Sequence, residues 1–267
     1  MRIALLQCAP KPLDVSGNLA RLDRYARNAA AWGAKLLVTP EMFISGYNIG
    51  SDHVARLAEA SDGGCAQTVA DIARRYGLAI AYGYPELGRE GKIYNSVQLI
   101  NREGHSLGNY RKTHLFGELD RKMFSAGTDY SPIIEFEGWN LGILICYDIE
   151  FPENARRHAI AGADLLLVPT ANMKPYDFVA QVTVRSRAYE NQCFVAYANY
   201  CGREDEILYC GQSSVSAPDG SVLGMANDID EDLLVIDLER ELINQLRSQA
   251  CCLKDRRADL YIQHQLS

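Results

Sequence analysis

The sequence predicts an α/β fold in a single domain over residues 1–267: a four-layer α-β-β-α sandwich of two mixed sheets with an internal pseudo-two-fold repeat. Short apolar runs typical of buried strands alternate with helical patterns along the chain. One β-α-β unit occurs twice, and each half alone is too small to bury a full core. No stretch rich in proline, glycine and serine separates the halves. We therefore expect two sheets packed face to face, with helices on their outer faces.

The first β-α-β unit lies at the start of the chain. An apolar run at 3–8 predicts a strand, and Ser16 is a favourable N-cap for the helix that follows. Apolar residues between 19 and 30 recur at helical spacing, and Gly33 is typical of a helix C-terminus. The next strand is predicted at 35–39.

The second unit repeats this order further along the chain. A buried-strand pattern at 141–146 precedes Pro152, which suits a first helical turn, and another strand follows at 165–169. Residues 33–40 and 162–169 are identical at five of eight positions without gaps, which favours a real repeat over chance. Further strands are predicted at 78–82, 96–100, 194–198, 213–216 and 233–238, further helices at 65–76 and 177–191, and loop turns at Gly83, Gly88 and Gly91.

Composition and charge narrow the range of partners. The chain carries 27 Lys and Arg against 34 Asp and Glu, a formal net charge of −7. This balance argues against a nucleic-acid or anionic-lipid surface and suits a neutral or cationic small molecule. The longest apolar runs are far shorter than the ~20 residues that span a bilayer, so no membrane partner is expected. The eight cysteines include no C-x-x-C pair, so we expect reduced thiols and no metal site. Met1 leads into a strand rather than a signal peptide, so we expect a cytoplasmic protein.

Two reactive residues stand at predicted strand ends, where ligands bind in α/β sheets. Glu41 follows the strand at 35–39, and Cys146 ends the strand at 141–146. Because the ends of equivalent strands in a repeat should lie near each other, we expect these two side chains to meet. A thiol at the start of a helix can act as a nucleophile, although a buried structural cysteine is the alternative.

A thiol nucleophile needs a base, and no histidine stands at a comparable strand end. Glu41 can take this role if burial raises its pKa toward neutrality, and a salt-bridged structural glutamate is the alternative. Lys112 lies in a segment, 109–116, that mixes cations with apolar residues. Its ammonium could stabilise an oxyanion, or it could belong to a solvated basic loop.

Three segments together resemble the signature blocks of the nitrilase, or carbon–nitrogen hydrolase, superfamily. They are Pro-Glu-Met-Phe at 40–43, Tyr-Arg-Lys-Thr-His-Leu-Phe at 110–116 and Ile-Cys-Tyr-Asp-Ile-Glu-Phe-Pro-Glu at 145–153. Residues 187–191 and 255–261 also resemble family segments, so the likeness covers nearly the whole chain. Within the superfamily, the segments similar to bacterial 5-aminopentanamidases (δ-aminovaleramidases) are 110–121, 169–178 and 197–202. Cys251 and Cys252 depart from the family, which more usually has an aromatic residue or proline there.

The resemblance implies an amidase with a Glu-Lys-Cys triad of Glu41, Lys112 and Cys146, and no cofactor. It also implies a second catalytic glutamate, for which Glu118 is the candidate, positioning Lys112 and the amide nitrogen. The expected substrate is 5-aminopentanamide, hydrolysed through a cysteine thioester to 5-aminopentanoate and ammonia, a step in lysine degradation. A homodimer or larger homo-oligomer is implied, with the C-terminal tail from about residue 239 to 267 in its contacts.

Substrate-binding residues are expected around the same strand ends. The backbone N–H of Tyr147 would face the oxyanion, and Asn172 would either bond the substrate or serve as a turn residue. The ammonium of 5-aminopentanamide needs an acidic partner. The candidates are Asp148, Glu150 and Asp177, which the sequence does not rank.

Other functions stay open at this point. A family amidase for N-carbamoyl amines, or an ω-amidase, is the near alternative, and a dicarboxylate monoamide would need a cationic pocket at its far end. An acyltransferase that passes the thioester to an amine is a second class, and a non-catalytic binding protein is a third. The presence of all three triad residues argues against the last.

Overall fold

Two six-stranded sheets lie face to face at the centre of the structure. The computed structural model describes residues 1–249 and 252–263. Its strands are β1 Arg2–Gln7, β2 Leu36–Val38, β3 Ala79–Leu87, β4 Ile93–Ile100, β5 Ser106–Arg111, β6 Ile134–Phe136, β7 Trp139–Ile143, β8 Leu165–Pro169, β9 Phe194–Ala198, β10 Arg203–Glu204, β11 Ile207–Leu208, β12 Ser214–Ser216, β13 Val222–Met225 and β14 Asp232–Asp237. Its α-helices are α1 Val15–Ala31, α2 Ser51–Leu57, α3 Gly64–Tyr76, α4 Gly117–Met123, α5 Pro152–Ile160, α6 Val184–Asn191, α7 Arg240–Gln249 and α8 Ala258–Gln263. A 3₁₀ turn spans Cys146–Glu150, and a π-helical turn spans Val179–Thr183.

The two large sheets repeat one strand order. The first runs β14-β1-β2-β3-β4-β5 and the second β6-β7-β8-β9-β12-β13. In each, three parallel strands have one antiparallel neighbour on one side and two on the other. The prediction of two mixed sheets with an internal repeat is therefore confirmed, and β1, β2 and β3 correspond to β7, β8 and β9.

Three apolar cores separate four layers. Successive side chains of a strand point to opposite faces, so Ile3 and Leu5 of β1 meet the second sheet while Ala4 and Leu6 face helices. Helices α1 and α3 cover the outer face of the first sheet, and α5 and α6 cover that of the second. Because both faces are covered, the central strands are continuous apolar runs, which is the pattern that predicted them.

Three local features differ from the predictions. Asp14 rather than Ser16 caps α1, since its carboxylate accepts the Gly17 N–H at 2.9 Å. Gly83 lies inside β3 rather than in a loop turn. The segment before Lys112 forms β5, an edge strand whose residues are mostly half-exposed, so its sequence carries little apolar signal.

The C-terminal segment begins with a helix that belongs to the core. Ile243 of α7 is 1% exposed between the sheets, and the Asp164 carboxylate accepts hydrogen bonds from Arg240 and Arg247. Further on, Tyr261 is exposed. The predicted tail therefore starts with a helix that packs against the core of its own chain. A role of the tail in oligomer contacts stays a prediction.

Two further predictions concern the same end of the chain and the membrane. Cys252 is an exposed free thiol, and Cys251 lies outside the described residues. Within the described ranges, no helix is both long and apolar enough to cross a bilayer.

We predict that Ile243→Ala lowers the free energy of unfolding by about 2–5 kcal/mol, because it leaves a cavity in the core between the sheets. Ile160→Ala is the matched control, since Ile160 is 55% exposed, and it should change that free energy by less than about 0.5 kcal/mol. Urea denaturation followed by circular dichroism measures both variants. Equal effects would show that α7 is not part of the core.

Candidate active site

Three strand ends bring the predicted triad into one region. Glu41 follows β2, Lys112 follows β5, and Cys146 follows β7. The two sheets are joined at this edge, where the Glu41 N–H donates to the Thr170 carbonyl across 3.3 Å. Thr170 comes directly after β8, so the site lies between the carboxyl ends of strands from both sheets.

The Lys112 ammonium lies between two carboxylates. Its Nζ is 2.7 Å from Glu41 Oε1 and 2.7 Å from Asp120 Oδ2, and all three side chains are fully buried. A charge removed from water is stable only with such partners and good geometry. The interpretation of Lys112 as part of a solvated basic loop is therefore wrong.

One carboxylate oxygen of Glu41 accepts hydrogen bonds, and the other accepts none among the described residues. Asn95 Nδ2 donates to Oε1 at 2.6 Å, the same oxygen that Lys112 contacts. Oε2 is buried and has no hydrogen-bond partner among the described residues. Gly83 lies behind this turn, because a Cβ there would be 2.4 Å from the Met42 nitrogen. An unpartnered buried carboxylate oxygen is costly, which indicates a group kept for a reacting atom.

Cys146 stands on a strained turn. Its φ is +46°, a region that few residues other than glycine adopt, and it opens the 3₁₀ turn Cys146–Glu150. The buried Asp148 carboxylate fixes this turn by accepting the Ile145 N–H and, from β5, the Tyr110 hydroxyl, each at 3.0 Å. Asp148 thereby ties the turn that carries Cys146 to the segment that carries Lys112.

Burial dominates the electrostatics of the site. It raises the pKa of Glu41; Lys112 opposes this effect, and the Asp120 carboxylate adds to it. Burial and the charge of Glu41 also raise the pKa of the Cys146 thiol, so the sulfur carries its proton at neutral pH. Burial alone would lower the pKa of Lys112, but the carboxylates of Asp120 and Glu41 outweigh it and raise that pKa. The resting site therefore holds a thiol and a charged ammonium around one carboxylate with a raised pKa.

Comparison with known proteins identifies the family of this chain. The family model described as carbon-nitrogen hydrolase matches residues 2–248. This chain belongs to the carbon–nitrogen hydrolase family. A Pseudomonas protegens protein described as "Hydrolase in pqqF 5'region" is 62% identical to it, over 98% of this chain and 90% of that protein. The Homo sapiens omega-amidase is 31% identical, over 97% of this chain and 96% of its own length.

Solved structures of one amidase support the fold and the class of reaction. The amidase of Nesterenkonia sp. AN1 matches with a TM-score of 0.85 at 35% identity, over 98% of this chain and 99% of that one. A further structure of that amidase shows acrylamide added to its active-site cysteine. The predicted α/β fold class is confirmed by this match. As a carbon–nitrogen hydrolase with amidase relatives, the protein is a hydrolase that acts on amide C–N bonds.

In this carbon–nitrogen hydrolase the second acidic residue beside Lys112 is Asp120, and the prediction that Glu118 holds that place is wrong. The Glu118 side chain is 74% exposed and lies 3.6 Å from Arg121. Residues two apart on a helix do not share a face. The side of α4 that presents Asp120 to Lys112 therefore turns Glu118 toward solvent. The helical phase of 117–123, rather than the residue type, was the signal that could have found Asp120.

Two of the predicted substrate-binding residues, Tyr147 and Asn172, differ in whether their hydrogen-bonding groups are available to a substrate. Tyr147 lies in the first part of the 3₁₀ turn, where N–H groups lack partners within the turn, and its ring meets Phe116 edge-on at 5.3 Å. Asn172 uses its amide inside its own loop, donating to the Tyr176 carbonyl and accepting the Met173 N–H, each at 3.0 Å. The Asn172 side chain therefore serves as that of a turn residue, which was one of the two predicted alternatives.

Of the three acidic candidates for a substrate ammonium, only Glu150 lacks a partner. Asp148 is buried and surrounded by donors, and Asp177 forms an ion pair with Lys174. Glu150 is half-buried and has no hydrogen bond or ion pair from its side chain within the described ranges. Burial raises its pKa, and the charges of Lys112 and Arg187 lower it, so the carboxylate is within electrostatic reach of the triad. No group of three or more His, Cys, Asp or Glu in the described part of the chain could hold a metal ion.

We predict that Asp120→Asn lowers kcat for ammonia release from a small aliphatic amide by about 100-fold or more, because the buried Lys112 ammonium loses one of its two charged partners. Glu118→Gln should change kcat by less than about twofold, since that side chain lies in solvent. Steady-state assays of both variants make the comparison. A matching loss in Glu118→Gln would restore the original assignment.

Proposed function

We propose that the protein is an amidase for small aliphatic ω-amino amides, with 5-aminopentanamide as its substrate and 5-aminopentanoate and ammonia as its products. The amidase chemistry is supported above all by the buried ammonium of Lys112 between two carboxylates, beside a cysteine at a strand end. The amino-amide preference is supported by the unpaired Glu150. A setting in lysine degradation follows from the resemblance of residues 110–121 to 5-aminopentanamidases.

In the proposed first half-reaction, the Cys146 sulfur attacks the amide carbonyl carbon while Glu41 Oε2 takes the thiol proton. The carbonyl π electrons move to oxygen, and Lys112 Nζ and the Tyr147 N–H stabilise the resulting oxyanion. When the oxyanion collapses, the C–N bond breaks and Glu41 gives its proton to the departing nitrogen. Ammonia leaves, and the acyl group stays on Cys146 as a thioester.

The second half-reaction reverses the proton path with water. Glu41 takes a proton from the water as its oxygen attacks the thioester carbonyl carbon, and Lys112 again faces the oxyanion. The C–S bond breaks, the sulfur recovers its proton from Glu41, and the carboxylic acid is released. Asp120 accepts no proton in either half and serves to hold Lys112 in place.

Glu150 would recognise the substrate ammonium. It ends the 3₁₀ turn that Cys146 opens, about 8 Å along the turn axis, which is comparable to an extended five-carbon chain. The cations whose charge reaches Glu150 already have partners: Lys112 lies between Glu41 and Asp120, and Arg187 pairs with Glu190 and backbone carbonyls. An ammonium arriving here finds an unpaired carboxylate, whereas a carboxylate finds no unpaired cation among these groups.

An ω-amidase is the second candidate, supported by the 31% identity to the human omega-amidase. Its substrate would place a carboxylate where Glu150 lies, and like charges repel. An N-carbamoyl amine shares the cationic end of an amino amide, so the same carboxylate would accept it. An acyltransferase would use the same thioester and pass it to an amine, which product analysis with an added amine distinguishes.

We predict that Cys146→Ala reduces ammonia release by at least about 1,000-fold, because no nucleophile is left to form the thioester. Thermal unfolding should stay close to that of the wild type, since the side chain lies at the site. Intact mass spectrometry of the wild type during turnover should show one acyl group, on the peptide that contains Cys146. Cys252→Ala removes an exposed thiol and is the control; wild-type turnover in Cys146→Ala would refute the mechanism.

We predict that kcat/KM is higher for 5-aminopentanamide than for pentanamide, for the monoamide of glutarate, for N-carbamoylputrescine and for pentanenitrile. Glu150→Gln should lower kcat/KM for 5-aminopentanamide by about 10- to 100-fold, mainly through KM, and leave pentanamide unchanged, because only the charged substrate loses a partner. Glu153→Gln alters an exposed neighbour and is the matched control. Preference for the nitrile contradicts the amidase assignment, and preference for the glutarate monoamide favours the ω-amidase.

A further inference from the structure

A buried chain of hydrogen bonds leads away from the triad through Asp120. Its Oδ1 accepts the Tyr47 hydroxyl at 2.7 Å, and its Oδ2 accepts both Lys112 Nζ at 2.7 Å and the Phe116 N–H at 2.8 Å. Tyr47 is almost fully buried, with its ring centre 5.8 Å from Lys112 Nζ. Both oxygens of Asp120 are therefore occupied, whereas Oε2 of Glu41 is not.

A second buried carboxylate holds the backbone of Tyr47. Glu204, at the end of β10, accepts the N–H groups of Tyr47 at 3.0 Å and Asn48 at 2.9 Å, and the Tyr209 hydroxyl at 2.5 Å. Gly46 allows this approach, because a Cβ there would lie 2.6 Å from Glu204 Oε1. These hydrogen bonds thus hold the loop after Glu41 against the β10-β11 hairpin.

These contacts give the two carboxylates around Lys112 different chemistry. Three donors occupy both oxygens of the Asp120 carboxylate and fix its orientation toward Lys112. Glu41 has one free oxygen and lies in the same dry site, which suits a group that must gain and lose a proton. We infer that Tyr47, held by Glu204, is a positioning residue that keeps the Asp120 carboxylate directed at Lys112, so that Glu41 alone serves as the base. This inference rests on the proposed function, in which Glu41 takes the proton of Cys146.

Removal of the Tyr47 hydroxyl should change the reactivity of Cys146 in a defined direction. The groups that titrate or carry charge around Asp120 are Lys112, Glu41, Cys146 and Tyr47 itself. Without the Tyr47 hydroxyl, Oδ1 of Asp120 loses its partner, and the carboxylate is no longer held in place against Lys112. Lys112 is then neutralised by Glu41 alone and holds that carboxylate more firmly, which makes it a weaker base. Since a weaker base keeps its charge to lower pH, Cys146 should react more slowly, and the acid limb of its pH profile should move to lower pH.

The test is Tyr47→Phe, which removes only the hydroxyl. The rate of Cys146 alkylation by iodoacetamide, followed against pH by peptide mass spectrometry, needs no amide substrate. We expect its acid-side midpoint to fall by about one pH unit, and the rate above that midpoint to fall about tenfold. In amide hydrolysis, kcat should fall in the same pH range while KM stays unchanged. Tyr25→Phe removes a hydroxyl that donates to Glu231 at 2.8 Å, away from the site, and should leave the midpoint in place.

Glu204→Gln is the second variant, and it should move the midpoint in the same direction by a smaller amount. Thermal unfolding of every variant separates loss of fold from loss of positioning. A Tyr47→Phe protein that unfolds like the wild type and keeps its midpoint overturns the inference, as does an equal shift in Tyr25→Phe. An unreactive Cys146 in the wild type contradicts the proposed function and the inference with it. Reactive Cys146 with no turnover of 5-aminopentanamide contradicts the substrate alone.

Discussion

The rest of the site depends on one buried charge. An ammonium without water is stable only if opposite charge surrounds it in fixed geometry, and Lys112 receives that charge from Glu41 and Asp120. These contacts hold the chain after β5 in place, because Lys112 reaches both carboxylates while its own N–H donates to the Asn95 carbonyl at 2.8 Å. The same Asn95 orients Glu41 through its side chain, so one residue of β4 sets the relative position of acid and ammonium.

The internal repeat places this cluster but supplies only one nucleophile. Aligning residues 33–40 with 162–169 makes Glu41 equivalent to Thr170, and these two residues touch each other across the sheets. By the strand register, Cys146 after β7 corresponds to Cys8 after β1. Cys8 is fully buried and burial raises its pKa beyond the ordinary range, so it lacks access to a substrate. Of these two equivalent strand-end cysteines, only Cys146 is therefore placed to react with a substrate.

Local sequence patterns predicted the elements whose sequence is set by burial. They did not predict the residues whose roles are set by contacts with distant parts of the chain. The central strands and the strand-end residues Glu41 and Cys146 followed from apolar runs with both faces covered. The edge strand β5 and the short helix α4 leave little apolar periodicity, so Lys112 stayed ambiguous and Glu118 was chosen in place of Asp120. Asn95 lies one residue before the predicted strand at 96–100, and a polar residue beside a buried run was its only signal. Tyr47 lies in a loop whose role is set by Glu204, 157 residues away, which no local pattern encodes.

The raised pKa of Cys146 changes how the nucleophile should be understood. A cysteine paired with a cationic histidine rests as a thiolate, because a positive neighbour favours the charged form. Here burial and the adjacent Glu41 carboxylate favour the neutral thiol, while Lys112 and the Ala171 N–H act in the opposite direction. The sulfur must then lose its proton to Glu41 during attack, when the new oxyanion near Lys112 compensates for the negative charge that Glu41 gives up. Since the thiolate is the form that oxidants attack, a site that makes it only during reaction also protects its nucleophile between turnovers.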